Sequence, residues 1–325
     1  MKATALAYSN IAFIKYWGKT DEKLRLPVNN SISMNLSNLQ TVTTVEFSPK
    51  YETDTVTIDG QKKSNEIKRV IVHLDRVRQL NKTSLKARVV SRNNFPASSG
   101  LSSSASGFAA LTLAAVSALN LQFNQKKISA LARLASGSAC RSIPAGFVEW
   151  HKGSTNQNSY AETIFPENYW PIIDIVAIVS FEKKAVTTTV AQKYAFSSPF
   201  FSVRIKNLPE KIKQLKTALT QKNFPRFGEI IESEALELHA VIMTQTPSYF
   251  YLFPETVSLF SKVRQWRNSG LPVYFTLNTG HDAHLLCQEE NKEKLMKKLS
   301  SLPFVRRTII NNPAGPAKII NNHLF

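Results

Sequence analysis

Three stretches of this 325-residue chain carry side chains suited to gripping anions. The first is Lys15-Tyr16-Trp17-Gly18-Lys19, two ammonium groups around an aromatic pair and a glycine. Lysines give point charges to phosphates, and glycine lets the main chain come close. The same residues could equally form a surface turn with Trp17 partly packed. The second stretch is Asn93-Asn94-Phe95-Pro96-Ala97-Ser98-Ser99-Gly100-Leu101-Ser102-Ser103-Ser104, followed by an apolar run over 108–116. A hydroxyl-rich loop feeding a buried helix aims free N–H groups outward, where the helix dipole favours an anion. Gly100 would admit close main-chain approach, and Ser102, Ser103 and Ser104 offer hydroxyl donors. No Gly-Lys-Ser/Thr follows Gly100, so this is not a Walker loop. The third stretch is Ser136-Gly137-Ser138-Ala139-Cys140-Arg141. A guanidinium among small neighbours suits a bidentate grip on a carboxylate or phosphate, or else an internal salt bridge.

Two further clusters invite weaker readings. Thr187-Thr188-Thr189 follow Lys183-Lys184; the hydroxyls fit strand propensity or another anion contact. His281, Asp282 and His284 lack the usual spacing of a helical zinc pair, and a strand-to-strand turn accounts for them. Spacing alone assembles no Ser-His-Asp triad.

Hydrophobic periodicity supplies the elements that must carry these groups. Positions 41–47 and 54–58 alternate as strands, and Asp59-Gly60 is a hairpin-type turn. Over 65–80, Ile67, Val70, Ile71, Leu74 and Val77 line one face of a helix. A strand over 86–90 runs into the Ser-rich loop, and 128–135 is a short helix. The apolar run 172–180 is a buried strand. The second half then brings helices over 208–219, 227–243 and 254–269, strands at 273–277 and 285–287, a helix at 291–299 and a strand at 305–310. This mixture describes an α+β layered protein. Its length suggests two domains, placed at 1–180 and 181–325.

Composition narrows the class. Apolar content of 43% supports a sizeable core, and the apolar runs are too interrupted to span a bilayer. The start Met1-Lys2-Ala3-Thr4-Ala5-Leu6-Ala7 faintly imitates a signal peptide, but Asn10 and Lys15 interrupt it. The expectation is a soluble, cytoplasmic protein with no membrane partner. Cys140 and Cys287 form no CxxC pair, which argues against a disulfide framework or structural zinc. Net charge is +18, which suits nucleic acid, a membrane surface or a polyanionic small substrate. The cations are scattered rather than interleaved with aromatics, so the small substrate is preferred over nucleic acid.

Four of these pieces, in order, resemble the mevalonate diphosphate decarboxylase family of the GHMP kinase superfamily. They are Asn10-Ile11-Ala12 with Lys15-Tyr16-Trp17-Gly18-Lys19, 94–106, 136–141, and Gly146-Phe147-Val148-Glu149-Trp150. The resemblance implies a GHMP kinase fold: an N-terminal ribosomal-protein-like domain, a C-terminal ferredoxin-like domain and a cleft between them. It implies ATP and Mg²⁺, a mevalonate phosphate as substrate, and a homodimer. The 3-hydroxyl would be phosphorylated, and phosphate and CO₂ would then leave.

Position by position, the resemblance puts Lys15 at the transferring phosphoryl group and Tyr16, Trp17, Gly18 and Lys19 at the substrate's phosphate end. Ser136, Gly137, Ser138, Ala139, Cys140 and Arg141 would line the substrate, with Arg141 on its carboxylate. Arg69, Thr188 and Thr189 would add phosphate contacts. Asn94, Ser99, Gly100, Leu101, Ser102, Ser103 and Ser104 would line ATP. The metal would ride on the phosphates, with Ser104 as the protein group nearest to it. One departure stands out. The family carries Asp-Ala-Gly-Pro-Asn at the end of a late strand, where this chain reads Asn278-Thr279-Gly280-His281-Asp282. An amide takes no proton, so Asp282 is expected to supply the carboxylate. The alternatives are a relative acting on the monophosphate or a simple 3-kinase.

Overall fold

The computed structural model describes residues 1–62, 65–95, 101–182 and 184–325. In chain order the first part comprises β1 (Lys2–Ala12), β2 (Lys19–Asp21), β3 (Leu26–Pro27), β4 (Ser31–Ser48), β5 (Thr55–Ile58), α1 (Asn65–Asn81), β6 (Lys86–Asn93), α2 (Ser103–Ala118), α3 (Gln125–Ala135), β7 (Phe147–Trp150) and β8 (Ala161–Phe165). A single 3-10 turn, Gly137–Ser142, lies between α3 and β7. The second part comprises β9 (Ile172–Ile178), α4 (Thr188–Ala191), α5 (Phe201–Thr220), α6 (Phe224–Thr244), α7 (Pro254–Asn268), β10 (Tyr274–Thr276), β11 (Ala283–Gln288), α8 (Lys292–Ser300), β12 (Arg307–Asn311) and β13 (Lys318–Ile320).

The larger sheet runs β13-β1-β4-β6-β5, with β7 on β4 and β8 on β7. β4 is its spine. Its first residues pair with β7 (Ser31 opposite Trp150), and its second half pairs with β6 (Thr41 opposite Asn93). The register against β1 slips between Tyr8 and Asn10. Such a bulge bends the strand and re-aims the residues after it, and those residues lead to Lys15. Asp59 and Gly60 both have positive φ, and Ile58 and Gln61 exchange main-chain hydrogen bonds across them. The expected tight turn therefore forms. It delivers the chain to α1 instead of a hairpin partner, and β5 pairs parallel to β6.

α2 is built from Ala, Ser and Gly with a few large apolar residues, and its buried residues run right round the helix. Small side chains let it lie close across β1 and β4, and Ala5, Phe47, Leu74, Ala109 and Ala114 share one core there. The smaller sheet, β10-β11-β9-β12, is antiparallel. Its alternation is strict: Ile172, Val176 and Ile178 face one core, Ile173, Ile175 and Ala177 another. The first of these cores also takes Ile11 and Met34 from the larger sheet, and Phe13 from just after β1. Phe13 meets Phe227 of α6 edge-on, with ring centroids 4.9 Å apart. Truncating Phe13 to Ala would cost about 3–5 kcal/mol. The two sheets are thus joined by apolar packing behind the cleft.

The division at 180/181 needs correcting. β9 is an inner strand of the smaller sheet, bonded to β11 and β12, so the second domain begins before Ile172. β13 meanwhile returns to pair with β1. An apolar run does not disclose which sheet it will join, because partner choice is a long-range contact.

Candidate active site

A cleft of about 1060 Å³ opens between the two sheets. Lys15 and Tyr16 reach it from the loop after β1, and Arg69 from α1. Ser102, Ser103 and Ser104 reach it from the start of α2, and Ser136, Gly137, Ser138 and Arg141 from the 3-10 turn. Lys184, Thr187, Thr188 and Thr189 enter from around α4, and Asn278 and Thr279 from the end of β10. Sequence segments more than 250 positions apart thereby face one hollow, and its charged lining is predominantly cationic.

Lys15 is buried. Its ammonium donates to the Ala12 carbonyl and, at 2.8 Å, to Thr276 Oγ1. Burial pulls its pKa down to about 7; Glu234 opposes that shift, while Arg141 and Arg204 reinforce it. Arg141 is also buried, and its guanidinium is fixed on two sides: Nε and Nη2 donate to Asn10 Oδ1 at 3.2 and 3.1 Å, and Nη1 donates to Ser31 Oγ at 2.8 Å. Neutral partners leave its charge uncompensated, which is the arrangement an anionic ligand needs. Lys184 lines the opposite wall and donates to Thr188 Oγ1 at 2.8 Å and to the Thr279 carbonyl at 3.1 Å; burial lowers it to about 8. The Tyr16 hydroxyl and Arg69 Nε are buried polar atoms with no hydrogen-bond partner among the described residues. Unmet donors beside a cationic hollow are the mark of a ligand that would meet them.

Ser102 opens α2 from the left-handed region, at φ 58. Its hydroxyl accepts from Asn278 Nδ2 at 3.0 Å. Asn278 Nδ2 also faces the Asn10 carbonyl at 3.3 Å, and its Oδ1 accepts from the Ala12 N–H at 3.3 Å. One side chain of the second domain thus ties β1 to the Ser-rich turn.

Two family models match, the diphosphomevalonate decarboxylase-like N-terminal domain over residues 7–161 and the mevalonate 5-diphosphate decarboxylase C-terminal domain over 174–315. The chain is 34% identical to the diphosphomevalonate decarboxylase of Candida albicans, over 91% of this chain and 87% of that one. The chain belongs to the diphosphomevalonate decarboxylase family. The phosphomevalonate decarboxylase of Haloferax volcanii is 31% identical, over 99% and 98% of the two chains. A solved structure of MDDEF in complex with MVAPP, AMPPCP and magnesium superposes with a TM-score of 0.93 at 35% identity, covering 99% of each chain.

Several residues that the family resemblance pointed to lie off the cleft. Trp17 is sealed in a core and donates to Gln245 Oε1 at 3.3 Å. Gly18, at φ 90, is crowded by Phe201, whose ring atom would lie 2.9 Å from an added Cβ. The Lys19 ammonium is taken by Glu22 at 2.9 Å. Ala139 and Cys140 are fully buried, and burial pushes the Cys140 thiol up to about 12. Leu101 is buried, its carbonyl accepting from Ser9. Exposed Asn94 braces the middle of β4, accepting from Gln40 N at 2.8 Å and donating to the Asn38 carbonyl at 3.1 Å. Ser99 and Gly100 lie outside the described residues. Gly137 acts through space: a Cβ there would come within 2.6 Å of the Tyr16 ring.

Asp282 does not join the cleft. Its side chain has no exposure, and Oδ1 accepts from Val179 N at the end of β9 at 3.0 Å. β11 starts at Ala283, so the preceding residue is drawn into the sheet instead of the hollow. Asn278 is the late-strand residue that faces Lys15's surroundings.

Sequence reasoning missed Arg25, Lys184 and Thr279 at the cleft, and the pair Arg204–Glu234 behind it. Lys184 had a signal, its position beside three threonines. Glu234 had none, because a carboxylate on an amphipathic helix reads as solvated; in the structure it is wholly buried.

The site fits ATP and Mg²⁺. Beside the cleft, a hollow of about 570 Å³ is walled by Ile58, Val70, Val89, Phe108 and Leu111, with Ser103 and Ser104 at its join to the cleft. A flat apolar base fits such walls, with the phosphates toward the hydroxyls and free N–H groups of α2. No group of three acidic, His or Cys side chains among the described residues could hold a metal alone. Ser104 and Glu66 line both hollows and would hold a metal carried on the phosphates. The ion supplies charge neutralisation at the transferring phosphoryl oxygens.

Proposed function

We propose that this protein decarboxylates mevalonate 5-diphosphate with ATP, giving isopentenyl diphosphate, ADP, phosphate and CO₂. The 3-hydroxyl oxygen attacks the γ-phosphorus, loses its proton, and ADP leaves. The bond to the carboxylate carbon then breaks; its electron pair forms the double bond as the 3-phosphate departs. Phosphorylation is needed because a tertiary alkoxide is a poor leaving group.

The observation that carries the reading is the convergence of Lys15, Arg141 and the Ser102–Ser104 turn on one cleft that also holds Arg69 and Lys184. Arg141 takes the substrate carboxylate. Tyr16, Arg69, Ser138, Thr188 and Thr189 take the diphosphate, with Arg25 and Lys184 adding charge there. Lys15 accepts the hydroxyl proton. Asn278 cannot do so, and the Asp282 carboxylate is sealed in the second domain. A pKa near 7 suits that task at physiological pH. Asn278 holds Lys15's loop against the nucleotide turn.

The reading includes a homodimer working in the cytoplasm, supported by the family likeness. No helix among the described residues is long and apolar enough to cross a membrane. Light scattering checks the dimer. The function is tested by coupled ADP release with mevalonate, its 5-phosphate and its 5-diphosphate, with CO₂ measured alongside. Turnover restricted to the 5-diphosphate, with one CO₂ per ADP, is expected. Preference for the monophosphate, as the Haloferax relative's name implies for that protein, would overturn the substrate; ADP without CO₂ would make the protein a kinase.

A further inference from the structure

We propose that the buried ion pair Glu234–Arg204 is a positioning device that holds the Lys15 loop by its main chain and sets the ionisation of the Lys15 amine through the Glu234 charge. The inference rests on the reading of Lys15 given above and deepens it.

Both residues come from helices of the second domain, Arg204 from α5 and Glu234 from α6. Glu234 Oε1 accepts from the Lys15 N–H at 3.0 Å and from Arg204 Nη2. Arg204 Nη2 also donates to the Lys15 carbonyl at 3.1 Å. The two peptide groups of Lys15 are therefore clamped by one carboxylate and one guanidinium. Exposure of the Arg204 side chain is 2%, and of Glu234 0%. Burying such a pair brings little net stability, since desolvation offsets the attraction. Apolar cores and the two larger sheets hold the fold together around it. What the pair specifies is place: the direction in which Lys15 leaves β1 and enters the cleft.

The charges facing Lys15 act with different signs. Glu234 favours the ammonium, whereas Arg141 and Arg204 disfavour it, and burial disfavours it most. His239, one turn along α6, is held neutral by burial, at about 4. Lys211 of α5 reaches Glu234 Oε2 at 3.4 Å from the solvent side. Among these groups Glu234 is the one whose charge opposes deprotonation of Lys15.

The test is the Lys15 titration itself, read by NMR of protein grown on isotope-labelled lysine, with the resonance assigned by its loss in Lys15→Met. Glu234→Gln keeps an oxygen to accept from the Lys15 N–H and removes only the charge. Its Lys15 midpoint is expected about half a unit or more below wild type. The kcat limb at that pH should move with it. Glu234→Asp keeps the charge and shortens the reach; its midpoint should stay near wild type while kcat falls. Should Glu234→Gln not fold, Arg204→Gln removes a positive neighbour and should move the midpoint upward. An unmoved midpoint in the folded variant overturns the inference. The NMR readout needs no turnover, so wild-type inactivity on every mevalonate phosphate would overturn the functional reading alone.

Discussion

Lys15 and Asn278 hold opposite ends of one peptide residue: the Ala12 carbonyl accepts from the Lys15 ammonium, and the Ala12 N–H donates to Asn278 Oδ1. The amine and the amide come from different domains, and Ala12 registers one against the other.

That arrangement makes Asn278 a direct test of the site. Asn278→Ala removes the bonds to Ala12, Asn10 and Ser102 together, and kcat should fall about tenfold or more. Asn278→Asp instead sets a carboxylate beside Lys15. An opposite charge favours the ammonium, so the kcat limb of Lys15 should move to higher pH. A pH–rate series on the two variants checks both outcomes.

Lys15 also leaves a mark on stability. Its pKa falls from 10.5 to about 7 on folding, chiefly through burial. Between those values the unfolded chain binds the proton and the folded chain does not, so stability rises with pH there. Below about 7 both states are protonated, and the folded state bears the full desolvation cost. Lys15→Met should thus be more stable than wild type at pH 6, by an amount on the order of a few kcal/mol, and the gap should close toward pH 10. Urea unfolding at several pH values measures it; a gap that widens with pH would contradict the burial of the amine.

Arg141 offers a test of substrate recognition. Its fork is held by Asn10 and Ser31, and a lysine cannot reproduce that planar geometry. Arg141→Lys should lower kcat/KM for the mevalonate phosphate about tenfold to a hundredfold while leaving KM for ATP within about threefold. Equal losses for both substrates would show that the residue does not discriminate between them.

Asp282 separates the expectation from sequence from the one that follows from structure. As the base, its replacement by Ala would cost at least about a hundredfold in turnover. Its carboxylate instead takes the Val179 N–H inside the second domain. Asp282→Ala should therefore lose about 1–3 kcal/mol of stability, the price of a stranded buried donor. Turnover of the folded fraction should stay within about threefold. Urea midpoints and kcat on the same samples decide the matter.

The sequence by itself determined the local pieces: the small-residue helix α2 opening at Ser102, the stripe of α1, the guanidinium among small residues at Arg141, and the positive-φ turn at Asp59-Gly60. These follow from periodicity and side-chain type, which act over a few residues. It also carried the family resemblance, with the expectation of ATP, Mg²⁺ and a two-lobed α+β fold. Tertiary structure alone decided which pieces meet. Trp17 and Lys19 sit within two to four residues of Lys15, yet one enters a core and the other pairs with Glu22. Asp282 lies four residues from Asn278, yet the start of β11 turns it away. Glu234 reads as a surface carboxylate and ends wholly buried against Lys15. In each case the outcome depends on a partner far along the chain, and burial, which sets both the contacts and the charge of Lys15, exists only once those distant partners have packed.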